Sequence, residues 1–300
     1  MNICILGSKH QVENTWLVKE AKKRGHTAVS LSTTDISFAV KGNTFSILSK
    51  YSLENFDIFL VRGIFRSYLV NDVHFNKSTE YFLLLRYIHN ILKKPIVDER
   101  LATQPFILSK MATSLTLCQH GVPQPQSFQF VNKKQVRNFI DKLPYPIIVK
   151  NPAGTKGKNI YKFDTKQDLL NFLEKMPEVL SFQFQKYLPT DGDIRVLVIG
   201  FKAIGAMKRY VVPGDFRSNI SQGAKAQPYK LTKPLRKIAE SAAEATSTEY
   251  AGVDIIESKD KFYVIEVNRA PQFRGFRKYT GIDPSPFIID YLEQKAQKKN

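Results

Sequence analysis

The sequence predicts an α/β fold whose C-terminal half shifts to α+β. In the first 95 residues short apolar strands alternate with helical segments, whereas beyond residue 190 strands follow one another across tight turns. The first pattern implies a parallel sheet and the second an antiparallel one. Of the 300 residues, 43% are hydrophobic, enough to bury a core and to exclude a disordered basic tail protein.

Residues 3–7 read as a buried strand. Gly7-Ser8 leads into a helix through Trp16, Leu17 and Ala21 that ends near Arg24-Gly25-His26. Thr27–Leu31 and Phe56–Val61 are the next strands, and Tyr81, Leu84, Leu85, Ile88 and Leu92 give residues 78–92 helical spacing. No G-x-G-x-x-G follows Gly7, so this unit, residues 1–95, reads as an α/β domain without a cofactor of its own. A second unit, 96–187, opens at Lys94-Pro95-Ile96. It has a helix near 105–119 containing Lys110, stopped by Gly121-Val122-Pro123. Then come a strand at Pro146–Lys150, a polar loop at Asn151–Asn159, a returning strand at Ile160–Phe163, an amphipathic helix over 166–175 and a strand at Phe182–Leu188. The third unit, 188–300, holds strands Asp193–Ile199 and Lys202–Val211 and a helix over 233–247. A hairpin of Gly252–Ser258 with Lys261–Asn268 follows, then a last helix through Ile288 and Leu292.

Lys and Arg number 45 against 27 Asp and Glu, a net charge of +18. Such a balance flags nucleic acid, an anionic membrane or an acidic substrate. The excess is even, +6 in each of the three units, with no basic arm, zinc finger or RNP motif, which argues against nucleic acid as the primary partner. Cys4 and Cys118 are too few for a disulfide framework or a four-ligand zinc site. No apolar run approaches the ~18–20 residues that span a bilayer, and Met1–Gly7 lacks the charged start of a signal peptide. The expectation is a soluble, reduced, cytoplasmic protein with no membrane partner.

The sharpest chemical signal is the hairpin. A turn near 259–261 sets Asp254 opposite Glu266, and Asn268 shares the face of Glu266 because strand side chains alternate. Two carboxylates ~4 Å apart repel by roughly 4 kcal/mol at an effective dielectric near 20. A divalent cation or a shared proton would relieve this, and all-oxygen ligands suit Mg²⁺ or Mn²⁺; pairing of each acid with a nearby arginine would relieve it equally, and spacing alone leaves both open. A second signal is Lys150 at the end of an apolar strand, before a loop with Gly154, Thr155, Lys156 and Gly157. Glycines let backbone N–H groups approach phosphate oxygens and lysine adds a point charge, although an exposed hairpin loop has the same composition. A third is Asp193 and Arg195 on one strand face, Arg209 on the neighbouring strand, and Arg217-Ser218-Asn219 after Gly214-Asp215; a surface ion-pair network is the alternative.

Taken together, Gly192-Asp193-Ile194-Arg195, Gly214–Asn219, Ala251-Gly252-Val253-Asp254-Ile255, Glu266-Val267-Asn268 and Thr280-Gly281-Ile282-Asp283 resemble the ATP-grasp ligases, specifically the RimK-type glutamate ligases, over Met1 to about Tyr291. The resemblance implies an ATP-grasp fold: an N-terminal parallel α/β domain, a central lid domain and a C-terminal antiparallel-sheet domain. It places Lys110 and Lys150 on the nucleotide phosphates, Gly154 to Asn159 in a closing loop, Gln185-Lys186-Tyr187 at the adenine hinge and Asp193 against the nucleotide. Asp254, Glu266 and Asn268 match the ligands of two Mg²⁺ or Mn²⁺ ions, which favours the metal reading of the hairpin. Arg209, Arg217 and Asn219 match catalytic groups near the transferred phosphate. The implied reaction is an ADP-forming ligation of a carboxylate to an amine through an acyl phosphate. The partners would be ATP, an amino acid, with glutamate favoured, and an acidic acceptor such as a protein tail, a carrier protein or a polyglutamate cofactor; a homo-oligomer is the family expectation. A ligase of another amino acid is the enzymatic alternative, and a basic nucleic-acid-binding protein on a degenerate fold is the alternative of another class.

The sequence departs from the family at Lys186, where an acid is usual, at Asn159, where glycine is usual, and at Ala270-Pro271-Gln272 in place of Ser-Pro-Gly. The following stretch resembles ligases acting on amino-group carrier proteins, and Gly275-Phe276 leans toward their glutamate-using branch. Arg269, Arg274, Arg277 and Lys278, with no acid among them, suggest a surface that, with Arg195, docks the acidic acceptor.

Overall fold

The computed structural model describes residues 1–62, 67–70, 73–76, 78–104, 109–150, 160–178, 182–212, 216 and 225–298. The N-terminal unit runs β1 (Asn2–Leu6), α1 (Val12–Lys23), β2 (Thr27–Leu31), β3 (Ile36–Lys41), β4 (Thr44–Ser49), β5 (Ile58–Val61), β6 (Ser67–Val70), β7 (Val73–Asn76), α2 (Ser78–Arg86) and β8 (Ile96–Val97). Strands β2, β1, β5 and β8 lie in that order, all parallel. Their apolar runs fit a sheet covered on both faces: Ile3, Ile5, Ile58 and Leu60 point into one core, Cys4, Leu6, Phe59 and Val61 into another. The β3–β4 hairpin has no counterpart among the strands expected from the sequence. Val40 and Leu48 there are 72% and 57% exposed, so no buried run marks the strands. β8 lies past the boundary expected at residue 95, yet it completes this sheet.

After α3 (Arg100–Thr103) and α4 (Lys110–Gln119) come β9 (Ser127–Gln129), α5 (Lys133–Phe139), β10 (Ile147–Lys150), β11 (Ile160–Phe163), α6 (Lys166–Glu174) and β12 (Gln183–Lys186). The antiparallel order β11-β10-β12-β9 makes the central sheet. Thr165 caps α6 by accepting the Asp168 N–H, and Leu169 and Leu173, one turn apart, bury against Val149 and Phe184. α4 bridges two units: Leu117 buries in the core of the third, and Ser114 accepts from the Gln183 side chain of the central sheet.

That unit comprises β13 (Gly192–Ile199), β14 (Lys202–Tyr210), β15 (Ala226–Tyr229), α7 (Lys233–Ala245), β16 (Tyr250–Ser258), β17 (Lys261–Arg269), α8 (Arg274–Thr280) and α9 (Pro284–Gln297). Its antiparallel sheet is ordered β15-β14-β13-β16-β17. One face is covered by α7, whose Leu235, Ala239, Ala242 and Ala243 recur at helical spacing and are fully buried. The other shares a core with the N-terminal sheet: Leu197, Met207 and Tyr250 meet Ile3, Ile5 and Leu60 through Phe273, Phe276, Ile288 and Leu292. The site strands are therefore fixed to the N-terminal unit, while the central sheet keeps its own core.

Candidate active site

The β16–β17 hairpin turns on Lys259 and Asp260 at φ +50° and +58°, closing Ser258 against Lys261. Both central residues of such a type I′ turn need positive φ. Continued regularly, that register would set Asp254 opposite Ile265 and turn Glu266 to the other face. A bulge between Asp254 and Ile255 takes Ile265 out of the ladder, so Asp254 pairs with Glu266 and Gly252 with Asn268. The opposition of the acids is as the sequence predicts; the bulge that produces it is not. β13 brings Arg195 level with Asp254 and Asp193 level with Arg209. The motif glycines make room: a Cβ on Gly192 would stand 2.1 Å from the Arg209 carbonyl oxygen, and one on Gly252 would stand 3.1 Å from Arg195 Cδ.

Asp254 is 4% exposed. Arg195 grips it with Nε on Oδ1 and Nη2 on Oδ2, the latter at 2.7 Å, and Arg209 Nη2 lies 2.9 Å from Oδ1. Arg209 also forks onto Asp193 through Nε and Nη2. Burial opposes ionisation of Asp254, but Arg195 and Arg209 outweigh it and hold the carboxyl below its ordinary range. Arg209 is likewise held above its usual value, Asp254 and Asp193 overcoming burial. Glu266 opens to the cleft and pairs with Lys110 at 2.5 Å. Desolvation raises its pKa, and Lys110 then Lys150 bring it below normal. Lys150 donates to Gln185 Oε1 at 2.7 Å and approaches the Ile265 carbonyl at 3.5 Å. Burial, with Lys110 beside it, pushes its pKa down to about 8.

These groups line one cleft of about 940 Å³, shared by Lys110, Lys150, Gln185, Lys186, Tyr187, Asp193, Arg195, Arg209, Asp254, Glu266, Asn268 and Arg274. Gly154, Thr155, Lys156, Gly157, Arg217 and Asn219 lie outside the described residues. The expected hinge is only partly available to a base. The Lys186 N–H donates to Gln126 and the Tyr187 N–H to Pro146, and the Gln185 side chain is held between Lys150 and Ser127. Among the described residues, Leu188 carries the next N–H without a backbone acceptor, and it too lines the cleft.

The basic stretch after Asn268 divides. The Arg269 guanidinium turns inward to the Thr246 and Ser247 carbonyls and to Asp98 at 3.6 Å. Arg277 stacks on Trp16 at 4.5 Å and pairs with Asp283 at 3.2 Å. Arg274 alone of the three arginines is exposed in the cleft. Arg195, expected at an acceptor, is instead committed to Asp254. His10, Gln11, Val12 and Glu13 form a cleft wall that the sequence reading missed. The signal was the strand-to-helix turn at Gly7-Ser8, since ligands of parallel sheets collect at the carboxyl ends of strands.

Asn268 donates through Nδ2 to Asp254 at 3.1 Å, so three hard oxygen-bearing groups stand together, a donor set that suits Mg²⁺. Among the described residues no group of three or more His, Cys, Asp or Glu gathers. A cation here would complete its shell from phosphate oxygens and water.

Residues 108–292 match the family profile of the RimK-like ATP-grasp domain. The chain belongs to that family. A probable alpha-L-glutamate ligase of Legionella pneumophila (strain Corby) is 33% identical over 185 residues, 60% of this RimK-like chain and 61% of that relative. The chain thus spans about three fifths of that relative's length. The alpha-aminoadipate–LysW ligase LysX of Saccharolobus solfataricus is 25% identical over 293 residues, 94% of the chain and 97% of the relative. The ATP-grasp ligase PsnB, solved with a minimal precursor, Mg and ADP, superposes with a TM-score of 0.74 at 18% identity, covering 98% of this chain and 97% of that one. The last is a likeness of fold, and it places the RimK-like chain among the ATP-grasp folds. Among the described residues no helix is long and apolar enough to cross a membrane.

Proposed function

We propose that the protein is an ATP- and Mg²⁺-dependent ligase joining a carboxylate to an amine, with glutamate as amino substrate and an acidic protein or cofactor tail as acceptor. The observation that carries this is the opposition of Asp254 and Glu266 in a cleft whose other walls hold Lys110 and Lys150. The names of the glutamate-ligase and LysX relatives support the choice of substrates.

The logic is electrostatic. A free carboxylate is a poor electrophile, so the γ-phosphoryl group passes to it and ADP leaves; the amine then attacks the acyl carbon, phosphate leaves and the amine's proton is lost. Asp254, Glu266 and Asn268 would hold two ions, Mg²⁺ or Mn²⁺, which when bound neutralise phosphate oxygens. Lys110, released from Glu266 as an ion arrives, and Lys150 would offset the remaining phosphate charge. Arg209, fixed between Asp193 and Asp254, needs no reorganisation to face developing negative charge. The resemblance adds Arg217, Asn219 and the loop from Gly154 to Gly157 as groups over the phosphates and the reacting acyl.

The test is ADP release from Mg²⁺-ATP across the twenty amino acids, with and without a glutamate-rich acceptor peptide, followed by mass spectrometry of the product. Glutamate should stimulate turnover and add a glutamyl mass to the acceptor. A protein that releases no ADP with any amino acid, yet binds RNA in a salt-sensitive way, would overturn the ligase reading.

A further inference from the structure

We infer that Glu13 recognises the ammonium group of the amino-acid substrate, with Arg274 beside it taking a carboxylate of the same molecule. The inference rests on the ligase reading and names the part of the cleft that its amino substrate enters.

Glu13 lies in the first turn of α1, is 5% exposed, and lines the cleft on the wall contributed by the N-terminal unit. The only hydrogen bond of its carboxylate among the described residues is a long one, from the Arg274 backbone N–H to Oε1 at 3.4 Å, and it has no ion pair there. Arg62, a buried cation of the same unit, is engaged elsewhere: it donates to Asn14 at 3.3 Å and to the Pro271 carbonyl at 2.7 Å, and lies over the Tyr250 and Phe273 rings. An acid in the first turn of a helix is favourable to the helix dipole. That accounts for a carboxylate here but not for its burial without a cation, which is costly unless something pairs with it.

The rest of the cleft sharpens the contrast. Asp193 and Asp254 are gripped by arginines and Glu266 by a lysine, so each of those acids has its cation within the chain. In a protein of net charge +18, Glu13 is, among the described residues, the cleft acid without an ion-pair partner, and a ligand can supply the cation. Phosphate, ADP and the acidic tail of an acceptor carry none, and the metal ions of the proposed reaction belong with Asp254, Glu266 and Asn268. A free amino acid carries one, together with an α-carboxylate that the exposed Arg274 guanidinium suits by charge and planar geometry. A carboxylate and a guanidinium joined through the Arg274 backbone contact form a zwitterion clamp at the seam between the N- and C-terminal units. The nucleotide groups of Lys110, Lys150 and Glu266 belong to the other walls.

The experiment uses the full chain with Mg²⁺ and a non-hydrolysable ATP analogue. Calorimetric titration compares glutamate with glutarate, which lacks only the amino group; if another amino acid stimulates ADP release more strongly, that amino acid and its deaminated analogue are used. The wild type should prefer the amine-bearing ligand by roughly tenfold or more, the worth of one charge-assisted hydrogen bond. Glu13→Gln should bring the ratio near unity, and Glu13→Asp should restore part of it. Because the readout is a ratio measured on the same folded molecules, partial misfolding of a variant cancels. In turnover, the same substitution should raise KM for the amino acid while leaving KM for ATP in place. A Glu13→Gln ratio equal to the wild-type ratio, in an enzyme that an amino acid does stimulate, would overturn this inference alone. A wild type that no amino acid stimulates would overturn the ligase reading and the inference with it.

Discussion

The floor and the rim of the cleft are built from the same residue types and behave as different materials. On the floor, Asp193 stands level with Arg209 and Arg195 with Asp254 on adjacent strands of one sheet; Asp193, Arg209 and Asp254 are buried, Arg195 is half-buried, and forked contacts join them. At the rim, Glu266 meets one lysine, Lys150 one glutamine and, at 3.5 Å, the Ile265 carbonyl, and Glu13 one backbone N–H. Buried charges closed into a network are fixed before any ligand arrives, whereas single contacts on long side chains can be exchanged for a ligand's atoms. The floor therefore holds geometry, and the rim leaves valence for substrates.

The comparison breaks most readily at the floor. Asp254→Asn removes the buried acid shared by Arg195 and Arg209 and should destabilise the fold by about 3 kcal/mol as well as ending turnover; the denaturant midpoint reads the first effect. An unchanged midpoint would show that the floor is no stiffer than the rim. Glu266→Gln should also abolish ADP release, but its partner is a lysine that can reach water, so the midpoint should move by less than about 1 kcal/mol. Equal loss of stability in the two variants would erase the distinction between floor and rim.

The smallest effect is a pH dependence of Lys150. Its pKa is depressed to about 8, so in the free protein its charge is lost as pH rises through that value. Phosphate oxygens favour the charged form, so ATP binding should take up a proton around pH 8 and weaken above it, by up to about tenfold per pH unit. Calorimetry in buffers of different ionisation enthalpy would detect the proton. Lys150→Arg, which stays charged, should flatten the profile; a wild-type affinity constant from pH 7 to 9 would place no titrating lysine at the phosphates.

The elements that position the floor are legible in the sequence because their strands are nearly unbroken apolar runs bounded by turn residues. The hairpin that carries Asp254 and Glu266 is legible for the same reason; the bulge that sets them opposite each other is not. Nor are the fates of the three arginines. Arg269 turns inward to Asp98 and Arg277 stacks on Trp16, partners far away along the chain, so no local pattern separates them from Arg274, which stays in the cleft. Glu13 is hidden in the same way: the group its carboxylate contacts, the Arg274 N–H, comes from the opposite end of the chain. The β3–β4 hairpin escapes notice because half-exposed strands carry too little apolar contrast.

A hairpin shorter by the single bulged residue, Ile265, would oppose Asp254 and Glu266 just as well, with an unbroken ladder. What the extra residue adds is a peptide carbonyl released from the ladder and standing 3.5 Å from the Lys150 ammonium. The count of residues between turn and acid, rather than the identity of any one of them, thereby supplies a dipole to the lysine. Two relatives with the same motif letters but one residue fewer in this strand would share the acids and differ in the electrostatic potential at that lysine.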